Sequence, residues 1–135
     1  MVPTGELALG ERPGPIRRCA MLVRNSTRSD ALVADKVELA ATWGSRLKGL
    51  LGRRSIAPGE GLHIVPCNSI HMFFMRFAID VAFLAHDGRV VKLVHRIRPW
   101  RATRIYSEAH SALELPPGTL AQAGVQEGDV LRFDP

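Results

Sequence analysis

The sequence predicts a mainly β protein, a single domain built as an antiparallel β-sandwich or barrel with one short α-helix. Most of its apolar runs are short and rich in Val, Ile, Leu and Phe, as strands are. Turn-forming sequences such as Asp87-Gly88 and Pro116-Pro117-Gly118 separate these runs. Only one stretch shows a clear helical period. A length of 135 residues is typical of one domain.

The N-terminal segment is rich in glycine and proline and has no hydrophobic period. Such sequences bury little surface, so we predict a flexible tail over residues 1–17 and a single β-rich domain over residues 18–135. The segment also lacks the early basic region and continuous apolar run of a secretory signal. On this basis we expect a cytoplasmic protein.

The domain is predicted to begin with two strands, over residues 19–25 and 31–40. The predicted helix follows over about residues 42–52, because Thr42 is a suitable N-cap and Gly52 a suitable terminator. Its apolar stripe, which we expect to face the core, comprises Trp43, Leu47, Leu50 and Leu51.

The rest of the chain is dominated by strand signals, and a helical turn is predicted near residues 119–123. Asp87-Gly88 predicts a two-residue type I′ hairpin, because both residue types tolerate positive φ. Counting back from that turn places Asp80 opposite His95, where a carboxylate–imidazole contact would satisfy the acid. The remaining predicted strands cover residues 61–66, 68–77, 79–86, 89–97, 110–115 and 130–134.

Composition restricts the function classes. Hydrophobic residues make up 46% of the chain and charged residues 23%, as in globular proteins. No apolar run approaches the roughly 20 residues that cross a bilayer as a helix, so we expect no membrane insertion. A net charge of +5 raises the question of nucleic acid. The basic segment 89–104, interleaved with aromatic residues, is the best candidate, although its strand alternation is also typical of a solvated exterior.

The densest block of chemically capable side chains is Pro66 to Leu84. His63, Cys67 and His71 recur every four residues, but extended backbone after Pro66 would separate neighbours by about 13 Å. Ligands of one zinc ion lie within about 4 Å of one another, so we predict neither a metal site nor a cofactor. Cys67 and His71 stay weak candidates for a nucleophile and its base, and a small buried thiol is the favoured interpretation.

If residues 67–80 form a strand, alternate side chains combine adaptable apolar groups with polar ones on one face. Together with the helix around Arg46, such a strand would line a shallow ligand groove. Ordinary sandwich core is the other interpretation of the same strand, and it is the favoured one. Asp80 and His95 would be its polar anchor. The predicted ligand-binding residues are Arg46, Ser69, His71, Met75, Asp80 and His95.

Several motifs in order resemble the bacterial and archaeal family called domain of unknown function 192. They are RLKGLLGR from Arg46, FFMRFAIDVAFL, DGRVV from Asp87, LELPPG from Leu113, and Gly128-Asp129. The resemblance runs from about Val33 to the C-terminus, and implies a compact β-sandwich or barrel with a short helix and no established activity. Members commonly show Trp-Met-x-Asn-Thr before Ile-Pro-Leu-Asp. Here an aromatic residue, Met75 and Asp80 match, and the asparagine and threonine do not.

The favoured function is a non-catalytic binding or accessory module with a groove lined by the 67–80 strand. Its partner would be an unknown protein or small-molecule ligand. Cys67, His71 and the sequence Arg98-Pro99-Trp100-Arg101 resemble a subgroup found near pilus-assembly genes, and this resemblance implies an envelope- or pilus-related partner. Many relatives also look exported. The first alternative is a small enzyme that uses Cys67 with a histidine base. The second and less favoured alternative is a nucleic-acid binder that uses the basic 89–104 segment.

Overall fold

The computed structural model of the chain describes residues 20–42, 50 and 52–135. It confirms the mainly β prediction, with seven strands in one curled sheet that forms a half-barrel. Along the sheet the strand order is β5-β4-β6-β3-β2-β1-β7. The elements are β1 Met21–Asn25, β2 Ala31–Ala40, β3 Glu60–Ile64, β4 Ile79–Leu84, β5 Val90–Ile97, β6 Ser111–Leu115, α1 Thr119–Gln122 and β7 Leu131–Asp134.

The sheet curls until its two edges meet at one end. The N–H of Val90 in β5 donates to the carbonyl of Asp129 at 2.7 Å, and the N–H of Leu131 in β7 donates to Gly88 at 2.9 Å. Gly88 has a φ of +87°, and a Cβ there would collide with the carbonyl oxygen of Leu131. The closure therefore requires glycine at this turn.

One pair departs from the antiparallel prediction, because β2 and β3 run parallel. Parallel neighbours need a long crossover, and residues 41–59 supply it. The predicted helix at 42–52 falls in this crossover and lies outside the described residues, apart from its ends and Leu50. Leu50 is buried, as its place in the apolar stripe predicts, and Gly52 has the left-handed φ of +83° common after helices. The predicted tail, residues 1–17, is also outside the described part.

Both faces of the central strands are buried. Val81 and Phe83 of β4 lie on one side of the sheet in a hydrophobic cluster that we call the first core. Its other buried members include Met72, Ile79 and Ala112. Ala82 and Leu84 lie on the other side with the second core, which also contains Leu120 of α1. This double burial explains why the sequence of β4 is apolar at every position except Asp80 and does not alternate between apolar and polar residues. Within the described residues, no helix is both long and apolar enough to cross a membrane.

The predicted strand over residues 68–77, and with it the 67–80 groove strand, is wrong. Residues 65–78 form an irregular loop over the first core, and β4 begins only at Ile79. Ile70, Met72 and Met75 are buried in that core. An apolar segment can remove its side chains from water by packing them onto the face of a sheet. Its apolar composition therefore does not require the segment itself to be a strand.

The predicted two-residue turn at Asp87-Gly88 is also wrong. The loop has three residues, His86 to Gly88, because Ala85 pairs with Arg89 and also accepts the N–H of Gly88 at 3.0 Å. Three-residue loops of this kind combine a turn with a glycine at positive φ. The extra residue shifts the register near the turn, and an irregularity between Phe83 and Leu84 restores the predicted pairing of Ala82 with Leu93.

The predicted contact between Asp80 and His95 does not form. A second irregularity between Ile79 and Val81 displaces the register beside Asp80. The buried carboxylate instead accepts backbone N–H groups from Arg96 at 2.9 Å and from Gly118 and Leu120 at 3.0 Å each, while His95 is exposed. Asp80 therefore joins β4 to the end of β5 and to the start of α1.

A second buried acid, Asp129, orders the loop before β7. Burial alone would raise its pKa, but hydrogen bonds from Arg28, Asn25 and Gln126, together with the charge of Arg28, lower the pKa below its ordinary value. A lowered folded pKa stabilises the fold above the unfolded pKa, and this stability is lost as pH falls through the folded value.

We therefore expect wild-type stability to fall on acidification between about pH 5 and pH 2, and to fall less steeply in Asp129→Asn. Urea denaturation across this range measures both slopes. The variant should also be less stable near neutral pH, because an amide cannot reproduce the charge-assisted bond to Arg28. Parallel curves for the two proteins would show that Asp129 does not contribute to the pH dependence.

Candidate functional site

Two loops lie side by side over the first core and hold each other in place. The N–H of Met72 donates to the carbonyl of Arg101 at 2.7 Å, and the N–H of Trp100 donates back to Met72 at 2.8 Å. Further along, Thr103 donates its N–H to Ile70 at 2.8 Å. Backbone bonds in both directions make these loops a paired platform rather than two independent connections.

Each loop contains a tight turn with an aromatic residue at an unusual position. In Met72–Met75 and in Arg98–Arg101 the last N–H donates to the first carbonyl, at 3.2 and 3.3 Å. The third residues, Phe74 and Trp100, have φ of +66° and +68°. Positive φ at this position is typical of type II turns, which favour glycine there. For an aromatic side chain the conformation costs about 1–2 kcal/mol.

These two aromatic residues contact each other and continue into a row. The ring centroids of Phe74 and Trp100 are 4.9 Å apart, those of Phe73 and Trp100 are 6.2 Å apart, and His71 stacks on Phe73 at 4.9 Å. Phe74 is 73% exposed, Trp100 59% and Phe73 43%. We call these four side chains the aromatic row. A contiguous exposed apolar patch is unusual on a monomer and is typical of an interaction site.

An arginine-rich cleft adjoins the row. Its volume is about 440 Å³, and Arg96, Arg98, Arg101 and Arg104 line it together with Tyr106. Among the residues that the structure describes, no carboxylate lies within ion-pair distance of these four guanidinium groups. Arg101 links the two features, because it follows Trp100 in the chain and its carbonyl accepts the bond from Met72. We call the row and the cleft together the arginine–aromatic surface.

The predicted ligand-binding residues that the structure describes do not lie together at one site. His71 lies in the aromatic row, and its backbone bridges to Ala102. Ser69 is half-buried, Met75 belongs to the first core, and Asp80 binds backbone amides near α1. His95 is exposed on β5, and Arg46 lies outside the described residues. The predicted groove is therefore not assembled as a strand face, and only His71 lies in the arginine–aromatic surface.

The structure also describes the surroundings of Cys67 and His71, the two weak catalytic candidates. Cys67 is a half-buried thiol whose Sγ donates to the carbonyl of Ser69 at 3.1 Å. His71 is exposed and stacks on Phe73, and no hydrogen bond joins it to Cys67 within the described part of the chain.

A second cavity, of about 310 Å³, is lined by three histidines together with residues of the β4–β5 loop and of β7. His86 and His110 stack with centroids 3.7 Å apart, and His63 stacks on Phe133 at 4.1 Å. Burial, and secondarily the nearby His110, lowers the pKa of His63 to about 4. His63 is therefore neutral near pH 7. Among the described residues, no three His, Cys, Asp or Glu side chains are arranged to hold a metal ion.

The sequence places Trp100 in the basic segment 89–104, but it does not predict the contact of Trp100 with Phe74 or the positive φ of these two residues. Pro99 before Trp100 is a usable signal, since proline favours the second position of a type II turn and the next residue then takes positive φ. A tryptophan in place of the expected glycine is a local inconsistency between sequence and backbone. Such inconsistencies are enriched at functional sites.

Comparison with known sequences gives a family match over most of the chain. The family model DUF192, described as "Uncharacterized ACR", matches residues 23–133. The UPF0127 protein TK1120 of Thermococcus kodakarensis is 31% identical over 119 residues, which are 84% of this chain and 74% of that protein.

Two crystal structures share the fold. A protein from Sinorhizobium meliloti, described as a proposed transcription regulator, has a TM-score of 0.74 and 30% identity, covering 89% of this chain and 98% of its own. A protein of unknown function from Novosphingobium aromaticivorans has a TM-score of 0.70 and 21% identity, covering 85% of this chain and 84% of its own. With the family model matching residues 23–133, the chain belongs to the domain of unknown function 192 family, as its motifs predict.

Proposed function

We propose that the protein is a non-catalytic binding module that holds a negatively charged partner on the arginine–aromatic surface. The observation behind this proposal is the contact between Phe74 and Trp100, two exposed rings on strained turns, beside a cleft lined by arginines that have no carboxylate partner among the described residues. Neither feature is explained by the stability of the fold, because exposed rings and unpaired charges contribute little to it.

The charge of the surface favours an anion. Four arginines line one cleft, and the sequence has no acidic residue between Asp87 and Glu108. Arginine forms paired hydrogen bonds with phosphate and carboxylate groups, and it also stacks on flat rings. A partner that combines anionic groups with flat or apolar groups would satisfy both halves of the surface.

The backbone strain supports a binding role. Of five non-glycine residues with positive φ in the described chain, three lie here, namely Phe74, Arg96 and Trp100. Strained conformations of this kind are concentrated at ligand-binding and active sites. The description of the Sinorhizobium meliloti relative also fits, since transcription regulators commonly act on a polyanion. An envelope- or pilus-related partner would need to offer the same acidic groups.

Charge reversal at Arg101 tests the proposed surface. We expect Arg101→Glu to elute from immobilised heparin at a clearly lower salt concentration than the wild type, because it removes a cation from the cleft and adds a repelling charge. Lys36→Glu is the matched control, since Lys36 is exposed on β2 and the change in net charge is the same. Equal shifts in the two variants would show that only net charge matters, and would contradict the proposal.

Replacing Trp100 by glycine separates a binding role from a structural one. We expect the free energy of unfolding of Trp100→Gly to stay within about 1 kcal/mol of wild type, because relief of the positive-φ strain offsets the lost ring contacts and the added chain entropy. Chemical denaturation measures this change. A loss above about 2 kcal/mol would show that the exposed ring is a structural element.

A further inference from the structure

We propose that the partner of the arginine–aromatic surface is a single-stranded nucleic acid, whose bases stack on Phe74 and Trp100 while its phosphates enter the arginine cleft. This inference rests on the proposed function and names the ligand class for the same surface. Proteins that bind single strands combine a basic groove that follows the backbone with exposed aromatic rings on which bases stack. Both parts are present here, joined at Trp100-Arg101.

The arrangement of the rings favours single strands over duplex. In a duplex the faces of the bases are covered by their neighbours, and sequence is read from base edges by an element that enters a groove. The aromatic row instead lies on two short turns. The one helix in the described residues, α1, has only four residues and buries Leu120, so it is not suited to entering a groove of a duplex. Exposed ring faces can contact base faces only when the bases are unstacked.

The cleft favours a nucleotide over other anions. An acidic peptide would pair with the arginines but would leave the rings of Phe74 and Trp100 without flat partners. A flat anionic membrane would contact the rings but would not fill a cleft of about 440 Å³. A cleft of that size lies within the range of small-ligand sites, roughly 300–1,000 Å³. A phosphate and sugar in the cleft, with a base on the adjoining ring, use both features at once.

The test measures binding of a fluorescent oligothymidylate by anisotropy at low salt. We expect Trp100→Ala to weaken this binding about 5- to 150-fold, which is the usual range for one stacked base. Its elution from heparin should stay close to wild type, because heparin has no bases. Leu32→Ala, which removes an exposed apolar side chain from β2, is the matched control and should change neither measurement. Phe74→Ala is a second variant should Trp100→Ala fail to fold.

Other outcomes are distinguishable. If Trp100→Ala and Phe74→Ala bind the oligonucleotide as wild type does, or if duplex DNA of equal charge competes as well as single strands, the inference is overturned and the proposed function stands. If Arg101→Glu affects neither heparin nor oligonucleotide binding, the proposed function fails as well. Binding to phosphatidylserine vesicles without binding to oligothymidylate would assign the surface to a membrane and overturn the nucleic-acid inference.

Discussion

Replacing Asp80 by alanine is expected to lower the free energy of unfolding by about 3 kcal/mol or more. The carboxylate is fully buried and accepts three backbone N–H groups, from Arg96, Gly118 and Leu120. Removing it leaves all three donors without their acceptor, in a setting that is buried for Leu120 and partly buried for Arg96 and Gly118. Each hydrogen bond to a charged group contributes about 1.5–3 kcal/mol, and the values are not additive.

Asparagine at this position should not restore the stability. Oδ1 accepts Arg96 and Oδ2 accepts both Gly118 and Leu120, so either orientation of an amide places its NH₂ against an N–H donor. Urea denaturation of Asp80→Ala and Asp80→Asn measures both effects. Asp87→Ala is the control, because Asp87 is exposed and accepts one N–H from Arg89. A loss below about 1 kcal/mol in Asp80→Ala would contradict the role assigned to the buried carboxylate.

Asp80 also affects the candidate site. Its bond to the N–H of Arg96 fixes the irregular end of β5, where Arg96 takes a φ of +50° and enters the lining of the arginine cleft. Asp80 is thus the predicted site residue whose importance is best supported, although in a different role. Its buried carboxylate positions the backbone of β5 and of the start of α1. The family motif that includes Asp80 is explained by this backbone role without any catalytic function.

The strands were predictable because their hydrophobic patterns are local. β2 spans residues 31–40, as predicted, and β4, β5, β6 and β7 differ from prediction by a few terminal residues. The helical turn near 119–123 is also confirmed as α1. Local sequence patterns do not determine which strands pair with each other. The parallel pairing of β2 with β3 and the curl of the sheet were therefore not predicted.

The two errors in predicted backbone conformation, at residues 68–77 and at Asp87-Gly88, arose because the local residue types are compatible with more than one conformation. In residues 68–77 the apolar side chains of Ile70, Met72 and Met75 are buried, as their character predicts, but through a loop that packs on a sheet face. At Asp87-Gly88 the residue types allow either a two- or a three-residue loop, and contact of Gly88 with β7 accompanies the longer one. The hydrophobicity of a segment predicts its burial better than its backbone conformation.

The candidate site was predictable in part. Arg96, Arg98, Arg101 and Arg104 lie in the basic segment 89–104 that the sequence identified, and the structure places all four around one cleft. The contact between the rings was not predicted, because Phe73 and Phe74 were assigned to a strand. Their partner Trp100, although part of the basic segment, comes from a loop that is distant in sequence, and the backbone bonds between the two loops bring the rings together.

Replacing Phe83 by alanine is expected to cost about 3–5 kcal/mol of unfolding free energy, the usual result of truncating a buried aromatic residue. Phe83 is fully buried on β4 in the first core, and its ring lies 4.8 Å from that of Tyr106. Tyr106 in turn lines the arginine cleft. The cavity left by Phe83→Ala would therefore remove the support on which one wall of the cleft rests.

Phe73→Ala is the matched control, since it deletes the same side chain from the exposed aromatic row. We expect it to change the unfolding free energy by less than about 1 kcal/mol, while Phe83→Ala should also elute earlier from heparin under conditions where it remains folded. Denaturation curves and salt elution of both variants measure these effects. A similar stability loss in the two variants would mean that the loop platform, and not the core beneath it, stabilises the domain. If Phe83→Ala is stable and elutes normally from heparin, the position of Tyr106 in the cleft wall does not depend on its contact with Phe83.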